Sequence, residues 1–180
     1  MRKRKNVEEQ AYQILKDLKI NEIPVPLEKI ASYYDIEIQE EEFEGGELSG
    51  VLIRNPTNTI IGVNSSHPLN RKRFTIAHEI GHYFLHKGDP IHIDRGFRVN
   101  FRNQNSSLAV NVEEIEANAF AAALLMPEKK LKNIFQKKLK EGIDIESSEE
   151  LKKLAQEFGV SQQSLIIRLM KLGLIEDFSL

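Results

Sequence analysis

The chain contains no cysteine. Disulfide bonds, thiolate metal ligands and a cysteine nucleophile are therefore all excluded, and a reducing compartment suits the composition. No apolar run approaches the ~18 residues that a membrane span needs. The basic start, Met1–Lys5, is not followed by the apolar segment of a signal peptide. We therefore expect a cytoplasmic protein that does not associate with membranes.

A large charge of either sign is also missing. The formal net charge is −2 over 180 residues, so bulk electrostatics neither favour nor exclude a nucleic-acid partner. The composition is 41% hydrophobic and 29% charged, which is the balance of a soluble globular protein. The length allows one domain, or one domain with a small appendage.

Histidine is scarce, yet two of the five histidines belong to one H-E-x-x-H motif, His78-Glu79-Ile80-Gly81-His82. On an α-helix, residues four apart share a face, so both imidazoles can reach one metal ion. Glu79 lies roughly 100° round from His78, close enough to hold a water molecule beside that metal. This pattern is typical of zinc metalloproteases.

The segment around the motif, Phe74–His86, is apolar over most of a helix circumference, which predicts a buried helix. Its polar residues form one stripe, and buried polar groups must be paired or must bind something. The stripe consists of Thr75, His78, Glu79, His82 and His86. The alternative is a chance H-E-x-x-H whose two histidines are satisfied within the core.

A catalytic zinc needs a third protein ligand and an open position for water. The remaining histidines are poor candidates for it. His86 lies ~12 Å along the helix axis from His78, too far to share one ion on a straight helix. His67 and His92 fall in segments that we expect to be loops. We expect structural or surface roles for all three.

Acidic candidates lie in the second strongly helical segment, Val112–Met126. On a helical wheel, Glu114 and Asn118 fall near the middle of the apolar arc, whereas Glu113 is at its edge and Glu116 is on the opposite, solvent-exposed side. A carboxylate in the middle of a buried face is costly without a partner, and a zinc ion would be that partner. Glu114 is therefore the predicted third ligand, with Asn118 hydrogen-bonded to a ligand. The alternative is a rotated or exposed helix on which Glu114 is merely solvated.

Elsewhere the pattern predicts further helices, a strand and a hairpin. Segment 87–110 has weak periodicity and is long for an ordered connection, which favours a functional loop. The predicted elements are helices at Asn6–Leu18, Leu27–Tyr34 and Glu128–Lys140, a strand at Asp35–Ile38, and a hairpin of Leu48–Ile53 and Thr59–Val63.

The last segment, Ser147–Gly173, has the hydrophobic spacing of a helix-turn-helix. Its second helix, Gln162–Lys171, offers only Arg168 and Lys171 as basic groups. Phosphate contacts dominate DNA affinity, and two cations are few. We therefore expect this tail to pack against the rest of the chain or to dock a protein, and we do not expect it to bind DNA.

Three stretches together resemble the ImmA/IrrE family of metallopeptidases, over about residues 20 to 175. The resemblance rests on Arg71–His82, on the helix Glu114–Pro127 with its A-N-x-F-A-A-A-L-L-M-P signature, and on the preceding G-V-L-I…I-I-G-V-N hairpin. It implies an α+β, zincin-like domain at residues 1–127, with a small sheet, an active-site helix and a second ligand helix. A helical, helix-turn-helix-like subdomain at residues 128–180 would follow.

The resemblance also implies a zinc-dependent endopeptidase of the gluzincin type. His78, His82 and Glu114 would bind the zinc, and Glu79 would be the general base. Several members of the family act on helix-turn-helix repressors and release genes of mobile elements, prophages or stress responses. In zincins an extended substrate pairs with an edge strand above the metal, and the Leu48–Ile53 strand is the candidate here.

Two other functions stay open at this point. One is a DNA-binding regulator that uses the helix-turn-helix tail. The other is a pseudoenzyme or toxin-type effector that binds zinc without proteolysis.

Overall fold

A computed structural model of the chain describes residues 2–43, 48–86, 90–94, 108–142 and 147–176, with the backbone alone at residues 2–5 and 108–111. It is an α+β fold, as the sequence predicts. The described elements follow one another as α1 (Arg2–Asp17), α2 (Leu27–Tyr33), β1 (Ile36–Glu41), β2 (Gly50–Arg54), β3 (Thr59–Asn64), α3 (Leu69–Leu85), β4 (Ile91–Asp94), α4 (Leu108–Leu125), α5 (Glu128–Lys140), α6 (Ser148–Phe158) and α7 (Gln162–Lys171).

The sheet has four described strands in the order β1-β3-β2-β4. β1 runs parallel to β3, and β2 runs antiparallel to both of its neighbours. The predicted hairpin is confirmed as β2 and β3, and the Asn55 N–H donates to the Asn58 carbonyl at 2.9 Å across its turn. Leu52 and Ile61 are cross-strand partners with no exposed surface, so the hairpin buries one face on the helices.

The prediction that the Leu48–Ile53 strand is an edge strand is wrong. β4 pairs antiparallel along its outer side, from Gly50 opposite Asp94 to Ile53 opposite Ile91. β4 lies inside segment 87–110, where we expected only loop, and α4 also begins within that segment. Residues 87–89 and 95–107 of that expected loop lie outside the described residues.

Three helices begin before their predicted first residues. α1 begins at Arg2, four residues before the predicted Asn6. α3 begins at Leu69, directly after Pro68, five residues before the apolar pattern starts at Phe74. The added turn, Leu69–Arg73, is rich in basic residues that favour a helix without supplying apolar periodicity. α4 likewise begins at Leu108, four residues before the predicted Val112.

α3 and α4 pack against each other at unusually short range. A Cβ atom added at Gly81 would lie 3.2 Å from both the Cα atom and the carbonyl oxygen of Ala117, and 3.2 Å from Phe120. Ala117, Phe120 and Ala121 have no exposed surface. The missing side chain at Gly81 thus lets the two helices carrying the predicted ligands approach closely.

The tail is joined to α1 by a buried arginine. Arg168 on α7 is 2% exposed and donates two hydrogen bonds to the Glu8 carboxylate, at 2.9 and 3.0 Å, and a third to Tyr12 Oη at 2.8 Å. Residues from α1 to α7 contribute to one hydrophobic cluster. The domain boundary at residue 127 stays a prediction. Among the helices that the structure describes, none combines the length and hydropathy of a bilayer span.

Candidate metal centre

The H-E-x-x-H motif lies on the most buried part of α3. His78, Glu79 and His82 are 2%, 0% and 1% exposed. The Nε2 atoms of the two histidines are 3.0 Å apart, because residues four apart stand on one face of the helix. Both imidazoles therefore present a nitrogen to the same point.

Glu114 reaches that point from α4. Its Oε2 lies 3.3 Å from His78 Nε2 and its Oε1 lies 3.3 Å from His82 Nε2. Burial raises the pKa of Glu114, but the hydrogen bonds from His78 and His82 outweigh it and hold that pKa well below its usual value. The structure therefore brings the three predicted ligands together, with the carboxylate in its anionic form.

The other ring nitrogens of these histidines have partners of their own. His78 Nδ1 lies 2.9 Å from Asn118 Oδ1, the partner predicted from the helical wheel. His82 Nδ1 lies 3.1 Å from His86 Nδ1. Contacts of this kind fix the orientation of a ring and leave its second nitrogen to face a ligand or metal. In both histidines that second nitrogen is the Nε2 atom beside Glu114.

Glu116 is not solvent-exposed, and that prediction is wrong. Its side chain is 23% exposed, and its Oε2 lies 3.2 Å from Nε2 of the buried His86. A wheel gives the direction of a Cα–Cβ bond, whereas a glutamate side chain is long enough to turn its carboxylate toward a buried partner. His86 has the predicted structural role, since it contacts His82 and Glu116.

His92 is the residue that the sequence reasoning missed. It lies on β4, its ring stacks on His82 with a centroid separation of 3.8 Å, and its Nε2 lies 3.4 Å from Glu114 Oε1. Burial, followed by the charge of His82, lowers the pKa of His92 to about 4. The expected surface role is wrong for this residue. The alternation in Ile91-His92-Ile93-Asp94 was the available signal, because it is the period of a half-buried strand.

Glu79 is buried without a hydrogen-bond partner for either carboxylate oxygen among the described residues. Burial is the largest cause that raises its pKa, to about 8. The residue lies beneath β2, where a Cβ atom at Gly50 would be 3.3 Å from Glu79 Oε1. An unpaired buried carboxylate is costly, and such groups are common where a protein transfers protons.

Four ligand atoms of His78, His82, His92 and Glu114 lie within 4.8 Å of one another. Zinc ligands ~2.0–2.1 Å from the ion stand ~3.3 Å apart at the corners of a tetrahedron. The two motif histidines are 3.0 Å apart at Nε2, and each of the three histidines lies 3.3–3.4 Å from one of the two Glu114 oxygens, which is close to that figure. Imidazole and carboxylate groups are the ligands that suit such an ion. If the motif had arisen by chance and its two histidines were simply hydrogen-bonded within the core, no carboxylate and third histidine would be expected to converge on them.

Comparison with known proteins identifies the family and the fold of the chain. The family described as the IrrE N-terminal-like domain, Peptidase_M78, matches residues 31–170. A solved structure, a Mycobacterium tuberculosis transcriptional regulator, superposes with a TM-score of 0.58 at 16% identity, which shows a shared fold. That match covers 92% of this chain and 46% of the solved one, so the chain spans a little under half of its length. No protein of curated function matches significantly. Because the family match covers most of the chain, the protein belongs to the Peptidase_M78 family and carries a metallopeptidase-type domain.

Proposed function

We propose that the chain is a zinc-dependent endopeptidase in which His78, His82 and Glu114 bind the metal and Glu79 is the general base. The observation that carries the proposal is the convergence of two Nε2 atoms and one carboxylate beside Glu79, which is buried and has no hydrogen-bond partner among the residues that the structure describes. A structural zinc needs no such glutamate, whereas peptide hydrolysis needs a group that moves protons.

Zinc bound at this position would supply Lewis acidity to the attacking water and to the carbonyl of the scissile bond. Glu79 would take the proton of the attacking water and give it to the leaving amine. A general base works best with a pKa near the operating pH, and burial moves the pKa of Glu79 toward that range. Glu79 is fully buried and lies against β2 at Gly50, so bulk water is excluded from the carboxylate.

Arg54 holds the end of α3 in place for this chemistry. Its Nη2 donates to the carbonyl oxygens of His82 and His86, each at 2.9 Å. A cation at a helix C-terminus opposes the helix dipole and can satisfy the last carbonyl groups, although the His82 carbonyl also accepts from the His86 N–H at 3.1 Å. β2, which carries Arg54, thus fixes the turn of α3 that presents His82.

For the substrate we propose a cytoplasmic helix-turn-helix repressor. The family resemblance supports this choice, as does the fold shared with a protein described as a transcriptional regulator. The DNA-binding alternative loses support from α7. Its Arg168 is buried and bound to Glu8, which leaves Lys171 as the exposed cation of that helix.

The proposal is tested with Glu79→Gln, which keeps the size of the side chain and removes the base. We expect the variant to retain one zinc per chain and to cleave the repressor encoded beside its gene roughly 10²–10⁴-fold more slowly. Glu113→Gln is the matched control, because Glu113 is an exposed glutamate on α4. Cleavage at the wild-type rate by a zinc-loaded Glu79→Gln protein would contradict the proposal.

A further inference from the structure

β4 covers the backbone groups of β2 that an extended substrate would need in order to pair with that strand. The strand runs antiparallel to β2 over the four pairs from Gly50–Asp94 to Ile53–Ile91. Backbone hydrogen bonds flank the pairing, from Ser49 N–H to the Asp94 carbonyl at 3.0 Å and from Arg54 N–H to the Pro90 carbonyl at 2.7 Å. Strand addition to a sheet uses these same backbone groups. A substrate and β4 cannot occupy this edge together.

The alternation of β4 directs two polar side chains toward the metal centre. Successive side chains of a strand point to opposite faces. Ile91 and Ile93 are 55% and 52% exposed, whereas His92 and Asp94 are partly buried. Asp94 groups with His78 and Glu79, and His92 groups with the three proposed ligands. The strand therefore directs an imidazole and a carboxylate toward the site and leaves its apolar side chains partly in solvent.

His92 stands where a fourth ligand would stand. Its Nε2 is buried, has no hydrogen-bond partner within the part of the chain that the structure describes, and lies 3.4 Å from Glu114 Oε1. That separation matches the 3.3 Å between Glu114 and each of the two motif histidines. Zinc sites with four protein ligands are closed, whereas catalytic sites keep one position for water.

We propose that β4 is a built-in blocking strand, which covers the substrate edge of β2 and supplies His92 as a fourth metal ligand. The inference rests on the proposed zinc peptidase and adds a mode of regulation to it. The conformation described here is then a latent state with a closed metal site. Activity requires β4 to leave β2, which frees the sheet edge and one coordination position together.

The size of β4 suits a strand that can be displaced. It has four residues, and its two largest side chains are mostly exposed. Segments with few buried apolar contacts open at a free energy well below that of global unfolding. A protein substrate that pairs with β2 would regain the backbone hydrogen bonds that β4 gives up.

The first test measures coordination in the cobalt-substituted protein by visible absorption, with and without acetohydroxamate. We expect the wild-type protein to show a four-coordinate spectrum that does not respond to the hydroxamate. His92→Ala should give a spectrum that responds, with zinc affinity lowered beyond the roughly 10–100-fold typical of losing an outer hydrogen-bond partner of a ligand. Ile93→Thr is the control on the opposite face of β4 and should match the wild type.

The outcomes separate this inference from the proposed function. A wild-type spectrum that already responds to hydroxamate, with zinc affinity unchanged in His92→Ala, would overturn the inference and leave the peptidase proposal standing. A wild-type protein that binds neither cobalt nor zinc would overturn both. Because the first comparison uses the wild-type protein alone, the inference stays testable if His92→Ala fails to fold.

A second test fixes β4 to β2 by a disulfide. Val51 and Ile93 are opposite one another in the ladder, at a separation that suits a disulfide, and the chain has no other cysteine. The oxidised Val51→Cys/Ile93→Cys protein should keep its zinc and its four-coordinate cobalt spectrum, but should lose cleavage until it is reduced. Cleavage that continues unchanged in the oxidised protein would show that β4 does not block the substrate edge.

Discussion

Gly81→Ala tests whether the close approach of α3 and α4 sets the geometry of the metal site. The new methyl group would lie 3.2 Å from the Cα atom and carbonyl oxygen of Ala117, both of which are backbone atoms. The helices would have to separate by a few tenths of an ångström to relieve the contact. Glu114 is one turn from Ala117 on α4, so its carboxylate would move away from His78 and His82.

The expected change in stability is small because two effects oppose each other. Overpacking a core position costs about 1–3 kcal/mol. Alanine is favoured over glycine within a helix by about 1 kcal/mol. The free energy of unfolding of the metal-free protein should therefore fall by about 0–2 kcal/mol. Zinc affinity has no such compensation and should fall by about 10-fold or more.

The assay is thermal unfolding of the metal-free protein together with chelator competition for zinc. Leu69→Ala, at a 69% exposed position on the same helix, is the control and should change zinc affinity little. A Gly81→Ala protein with a raised Tm and wild-type zinc affinity would refute the reasoning, because the helices could then accept the methyl group without displacing Glu114.

Three further predictions concern residues around the site and the tail. Asn118→Leu should lower zinc affinity about 10–100-fold, measured by chelator competition, because the His78 ring loses the partner of its Nδ1 atom. Arg54→Met should lower the free energy of unfolding by about 1–3 kcal/mol in urea titrations, because two carbonyl groups at the end of α3 lose a charged donor. Glu8→Gln should lower the free energy of unfolding by about 2 kcal/mol. This is less than the loss expected when a fully buried ion pair is broken, since Glu8 is 28% exposed although Arg168 is only 2% exposed. Burial raises the pKa of Glu8, but Arg168 outweighs it and lowers that pKa, so this contribution is present above about pH 4.5 and is lost as the pH falls through the lowered pKa. Wild-type stability should therefore drop more steeply in acid than that of Glu8→Gln, and equal slopes would contradict the prediction.

The part of the site that lies on helices could be predicted from the sequence. Residues His78 and His82 share a face by spacing alone, and Glu114 and Asn118 follow from the position of polar residues on an apolar helix. The structure brings all four together, although Glu114, which was predicted on a buried face, keeps 33% of its side chain exposed. Helical periodicity carries this information because each side chain's direction follows from its position along the axis.

The missed features depend on contacts between distant segments. The alternation of β4 is that of a half-buried strand, but it covers only four residues, and nothing local says that the strand pairs with β2. His92 reaches the site only because of that pairing. Glu116 was misplaced for a different reason, since its carboxylate turns toward His86 rather than along its own Cα–Cβ direction.

The most direct measurement of the central claim is zinc stoichiometry and affinity in Glu114→Gln beside Glu113→Gln. The two glutamates are adjacent in sequence, yet one meets both motif histidines and the other is exposed. We predict one zinc per chain in the wild type and in Glu113→Gln, with affinity strongly reduced in Glu114→Gln and thermal stability reduced with it, because metal binding and folding are coupled. Full, tight zinc binding by Glu114→Gln together with loss of zinc in Glu113→Gln would contradict the account.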